Sequence, residues 1–128
     1  MHATNTGVDG GQTDWRFECV PWEGTRDPTA VAFLKIGDID PDFDWTLIVE
    51  YVKDIPMDIP SSQRAREPKF TCRVWFKEAI RMLNESGMFV KCPDVDALEE
   101  ELRQRAIYAA FNRKVIIESA TKAVVWTY

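Results

Sequence analysis

The chain predicts an α+β fold, a small antiparallel sheet packed by two amphipathic helices in a single domain. Residues 14–20 alternate strictly between apolar and polar side chains, the period of a half-buried strand. Residues 71–87 and 94–111 instead carry apolar stripes at helical spacing. Proline- and glycine-containing stretches separate the periodic segments and mark the turns.

Residues 1–12 contain Gly7, Gly10 and Gly11 and no periodic apolar pattern, so they are expected to form a flexible leader ahead of a domain spanning 13–128. In the first strand, Trp15, Phe17 and Cys19 share one face, and Asp14, Arg16 and Glu18 the other. Residues 21–28 form a turn-rich connection. Residues 29–36 are apolar on both faces except at Lys35, as befits a central strand. After an acidic turn, residues 45–53 place Trp45, Leu47, Val49 and Tyr51 on one face of a third expected strand. Residues 54–69 hold Pro56, Pro60 and Pro68 and read as a long loop, a kind of segment that often covers or builds a site.

The first helix has Thr71 as N-cap and Gly87 just past its end. Its stripe runs through Cys72, Trp75, Phe76, Ala79, Ile80 and Leu83. The second follows Pro93, with Asp94 as N-cap and Val95, Leu98, Leu102, Ala106 and Ala109 as its buried line. Glu99 with Arg103, and Glu101 with Arg105, stand four residues apart as favourable pairs. Two short β runs, 115–118 and 123–126, flank a turn at the C-terminal end.

The 128 residues suffice to bury a core, and 45% hydrophobic with 12% aromatic content argues for a folded chain. A net charge of −5, with scattered Lys and Arg, argues against nucleic acid as a partner. No apolar run is long enough for membrane insertion, and the polar start does not resemble a signal peptide. Cys19, Cys72 and Cys92 lack C-x-x-C spacing and read as free thiols of a reducing compartment, which gives a cytoplasmic expectation. No metal site or cofactor is expected: the chain lacks a Gly-rich phosphate loop, metal-ligand spacing and a haem attachment motif. The run Asp38, Asp40, Asp42, Asp44 invites a calcium loop, but the glycine and glutamate required at its sixth and twelfth positions are replaced by Phe43 and Val49.

Cys72 is the first candidate for chemistry. A thiol in the first turn of a helix feels the partial positive charge of the N-terminus, which favours the nucleophilic thiolate. Such a nucleophile normally needs a base, and the only histidine is His2, in the expected leader. Cys72 fits equally well as a small buried residue of the stripe it shares with Trp75 and Phe76. Asp14, Arg16 and Glu18 form a polar strand face that offers acid–base groups, or is simply solvated. Trp15, Trp22, Trp45, Trp75 and Trp126, with Phe17, Phe33 and Phe76, supply enough aromatic surface for a core or for an apolar cavity.

The strand-borne W-R-F near the start, followed by C-R-x-W-x-x-x-x-I-x-x-L-x-x-x-G, resembles an uncharacterised group of fungal proteins with H-W-R and G-C-R-[FY]-W motifs. The order of a strand histidine and a helix-start cysteine is also similar to circularly permuted papain-like hydrolases of the NlpC type. The resemblance covers roughly residues 13–90. This chain departs from it where Asp14 replaces the histidine and Thr71 the glycine. A carboxylate does not do the work of imidazole near neutral pH, so the resemblance implies a retained pocket without hydrolysis.

The leading expectation is a small-molecule-binding protein, or a cofactor-independent cyclase or isomerase, acting as an accessory protein of fungal secondary metabolism. Asp14 and Glu18 would move protons, while Trp15, Arg16, Phe17, Arg73, Trp75 and Phe76 would hold a small apolar or aromatic ligand. The alternatives are a cysteine hydrolase or acyltransferase built on Cys72, and a non-catalytic interaction module that forms homo-oligomers.

Overall fold

A computed structural model describes residues 1–6, 12–87 and 90–123. Strand β1 (His2–Thr6) pairs antiparallel with β2 (Gln12–Glu18), matching His2 to Glu18 and Ala3 to Phe17. The alternation expected around Trp15 and Phe17 is therefore a strand. Its partner lies inside the segment expected as a leader, because Ala3 is buried in the same core that receives Phe17 and Trp75. Strand β3 (Ala32–Lys35) pairs parallel with β4 (Ile116–Ser119). The α+β class holds, but its strands form two two-stranded sheets, one antiparallel and one parallel. The second expected C-terminal run, 123–126, lies outside the described residues from position 124 onward.

Three helices occupy the connection between β3 and β4: α1 (Thr46–Val52), α2 (Cys72–Ser86) and α3 (Val95–Phe111). Helix α1 replaces the expected third strand. Ile48, Tyr51, Val52 and Ile55 all pack on the core, and their 0, 3, 4, 7 spacing is helical. Trp45 and Leu47, members of the supposed strand face, are exposed. Asp44 starts the helix, its Oδ1 accepting from the Thr46 N–H at 3.0 Å and from the Thr46 hydroxyl at 2.6 Å. The acidic run is thus consumed locally: Asp38 pairs with Lys35, and Asp40 accepts from the Asp42 N–H at 2.9 Å.

Helices α2 and α3 keep their expected bounds. Gly87 ends α2 in the left-handed region at φ 71°, where glycine carries no Cβ penalty. Asp94 caps α3 by accepting from the Ala97 N–H at 3.0 Å. Thr71 holds the N-cap position of α2 with an extended backbone, but its hydroxyl makes no capping bond. Of the expected four-apart pairs, Arg103 turns instead to Glu100 and Arg105 to Glu118. Glu101 caps the turn that follows β4, accepting from the Thr121 and Lys122 N–H groups. Among the described residues no helix is long and apolar enough to cross a membrane.

The long loop is locked down by charge. Lys77, in the middle of α2, is only 2% exposed. Its Nζ donates to Glu67 Oε1 at 2.9 Å, Gln63 Oε1 at 3.0 Å and Asp96 Oδ1 at 3.1 Å. An ammonium has three protons, so this one is fully satisfied. Arg73, one turn earlier, reaches Glu67 Oε2 and Glu99 Oε1, both at 2.9 Å. The cluster ties the 54–70 loop to α2 and α3 together.

The Lys77 hydrogen bond is the main reason Glu67 ionises below its usual range, outweighing burial. Burial pushes Asp96 up, but the Lys77 hydrogen bond and the charges of Lys77, Arg66 and Arg81 together leave it lowered. Depressed carboxylates stabilise the fold fully above their unfolded values, 4.5 and 3.8, and that contribution disappears as pH falls through the lower folded values. Lys77→Met should cost about 3–5 kcal/mol in urea unfolding at neutral pH, because it strands buried carboxylates. In that variant the carboxylates titrate upward instead, so its deficit relative to wild type should shrink on acidification. A deficit independent of pH between neutrality and pH about 4 would refute the charge lock.

Candidate functional site

An apolar concavity against α2, α3 and β3 forms a candidate site among the described residues, with a volume of about 430 Å³. One wall comes from the turn before β3, through Trp22, Thr29 and Ala30. The strand contributes Ala32, Phe33 and Leu34, with Ile36 just beyond it. Phe76 of α2, with Leu98 and Leu102 of α3, completes the lining. Leu98 and Leu102 fall on this cavity because the α3 stripe packs toward β3, whose residues are apolar on successive positions, while Phe76 reaches it from α2.

No charged side chain contributes to this lining. Its only side-chain hydrogen-bond donors are the Trp22 indole and the Thr29 hydroxyl, and both are committed to one acceptor. Trp22 Nε1 donates to Asp27 Oδ2 at 2.9 Å, and Thr29 Oγ1 donates to Asp27 Oδ1 at 2.6 Å. The Thr29 N–H adds a further bond to Oδ1 at 2.8 Å. The Thr29 hydroxyl, then its N–H, then the Trp22 indole hold the Asp27 carboxyl below its ordinary value. A lowered carboxylate keeps its acceptors throughout the range above 3.8 and loses them only in stronger acid.

The expected ligand residues divide between this groove and the core. Phe76 lines the groove. Trp15 packs edge-on against Phe70, with ring centroids 5.5 Å apart, and Phe17 lies 5.9 Å from Trp75. Trp75 is buried in the core. Arg73 belongs to the charge lock with Glu67 and Glu99. Trp126 lies outside the described residues. Trp22 and Phe33, foreseen only as general aromatic supply, form the groove's ring pair with centroids 6.1 Å apart.

The expected catalytic residues stand elsewhere. Arg16 and Glu18 do come together, at 3.7 Å, and the β1–β2 pairing adds His2, whose Nε2 lies 3.2 Å from Glu18 Oε1. Asp14 is exposed on the same strand. None of the three strand residues lines the groove. Cys72 is exposed at the first position of α2 rather than buried on its stripe.

The sequence also carries signals for the Asp27 and Lys77 networks. Asp27 and Thr29 have the two-apart spacing of a side chain that hydrogen-bonds the backbone two residues on. Arg73, Lys77 and Arg81 recur every four residues, and the first two turns of α3 offer Asp96 and Glu99 to meet them.

The thiols give a direct check of this placement. Cys19 and Cys72 are exposed, and Cys92 is buried, with desolvation pushing its thiol upward. Iodoacetamide should label Cys19 and Cys72 in the native protein and reach Cys92 only after denaturation, as read by peptide mass spectrometry. Native labelling of Cys92 would contradict the packing of α3 against the core. No protein-family model matches this chain, no curated protein is significantly similar to it, and no solved structure matches it.

Proposed function

We propose that this chain is a small-molecule-binding protein whose ligand, largely apolar, seats in the groove between β3 and the two long helices. The observation that carries the reading is the combination of volume and chemistry. A cavity of about 430 Å³ falls within the size range of ligand sites, roughly 300–1,000 Å³. Its donors are tied to Asp27, so what it offers an occupant is apolar contact.

Asp14 and Glu18 take no part in this reading, since neither faces the groove's lining. It therefore keeps the binding half of the accessory-protein expectation and assigns no proton transfer. Exposed free thiols at Cys19 and Cys72 suit a reducing interior, and the reading places the protein there.

Fluorescence titration with N-phenyl-1-naphthylamine, a neutral apolar dye, tests the proposal. Saturable enhancement is expected with the wild-type chain. Leu102→Glu, which puts a carboxylate into the lining, should weaken binding by at least about tenfold, with circular dichroism checking that the helices persist. An unsaturable signal, or equal binding by Leu102→Glu, would overturn it.

A further inference from the structure

We propose that the groove selects a flat ring without negative charge over an aliphatic chain, and that the selecting element is the Trp22–Phe33 ring pair held in place by Gly24 and Asp27. This rests on the ligand-binding reading above and adds the class of ligand and the residues that set it.

Trp22 is 63% exposed, and an indole that open to solvent ordinarily samples several rotamers. Here it is fixed from two sides. Its Nε1 donates to Asp27 Oδ2 at 2.9 Å, and Asp27 is itself held by two bonds from Thr29. On the ring side, the backbone of Gly24 presses against both aromatics. A Cβ there would stand 2.8 Å from Phe33 Cε1, 2.8 Å from Trp22 Cζ3 and 3.0 Å from Trp22 Cη2. Only glycine allows the turn Gly24–Arg26 to approach the rings so closely.

The two rings are tilted by 35°, so a planar guest stacked on one face meets the other ring at an angle between the offset-stacked and edge-to-face arrangements that aromatic groups prefer. An aliphatic chain gains contact area from these faces but no quadrupole interaction, and it loses more rotamer freedom on binding. The exclusion of negative charge follows from the lining. A carboxylate or sulfonate seated there would leave water and find no free donor or counter-charge among the described lining residues. Asp27 and Gly24 are positioning residues: they act through Trp22 and Phe33.

The discriminating variant is Asp27→Asn. An amide has one carbonyl oxygen in place of two acceptors. If that oxygen keeps the two Thr29 bonds, its NH2 group faces the indole N–H, donor against donor. The turn then persists while the tether on Trp22 is lost. Trp22→Leu removes the ring outright, and Gly24→Ala pushes the pair apart.

Three probes separate the claims: N-phenyl-1-naphthylamine, its sulfonated relative 8-anilinonaphthalene-1-sulfonate, and dodecanol read by displacement of the neutral dye. The wild type should favour the neutral dye over the sulfonate by at least about tenfold. Asp27→Asn and Gly24→Ala should each weaken the dye about fivefold and dodecanol much less, and Trp22→Leu, which also removes contact area, should weaken the dye clearly more than dodecanol. Variants that bind the dye as the wild type does, or that lose dye and dodecanol equally, overturn the ring clamp while leaving ligand binding intact. A sulfonate bound as tightly as the neutral dye overturns the claim about charge. A wild type that binds neither the dye nor dodecanol overturns the ligand-binding reading, and this one with it.

Discussion

A single buried ammonium organises this molecule. Removing a charge from water costs several kcal/mol per ion (roughly) unless its hydrogen bonds are replaced, so Lys77 is tolerated only where three oxygens converge on it. Those oxygens come from the 54–70 loop, through Gln63 and Glu67, and from α3, through Asp96. Any change in the loop's seat or in the approach of α3 to α2 would leave a buried charge exposed to an apolar surrounding. The geometry of three chain segments is therefore coupled at one nitrogen atom. The groove inherits that coupling. Phe76 immediately precedes Lys77 on α2, and Leu98 stands between Asp96 and Glu99 on α3. The same pair of helices carries charge on the side that locks and apolar surface on the side that lines.

Sequence patterning revealed the parts of the fold that depend on local periodicity. The two long helices, the Asp94 cap, the Gly87 terminus and strand β2 all follow from side chains within a few residues of one another. What depended on distant partners was hidden. Ala3 and its neighbours look featureless until β2 supplies a strand to pair with. The parallel pairing of β3 with β4 joins segments separated by all three helices. Residues 45–53 satisfy period two and period 3.6 at once, because apolar residues fill nearly every position. Asp44 decides between them through its bonds to Thr46, a short-range signal obscured by the run of aspartates around it.

The candidate site was legible in its materials and not in its location. Phe76 lies on the α2 stripe and lines the groove, and Trp22 and Phe33 were visible as available rings. Trp15, Phe17 and Trp75 have the same chemistry, yet they fill the core, and nothing in an aromatic residue's own sequence neighbourhood says which side of a sheet it will meet. Lys77 was invisible for a related reason. A lysine on a helix usually marks the wet face, and only the arrival of Gln63, Glu67 and Asp96 makes burial of this one possible.

The distribution of polar groups bears on what kind of activity the fold favours. Lys77 has all three protons engaged, His2 is paired to Glu18, and Asp27 accepts from Trp22 and Thr29. In each case a group capable of proton transfer holds a neighbour in position. A catalytic site needs a titratable group within hydrogen-bond reach of the reacting atom, and the groove's lining is apolar apart from two donors already engaged. In this groove the described polar groups engage one another and the lining is left to apolar contact, whereas the concavity along α3 is lined by Glu100, Glu101, Gln104, Arg105 and Lys122. The proposed recognition by shape and ring geometry draws on the apolar groove, with the charged framework of Lys77 holding the two helices that line it.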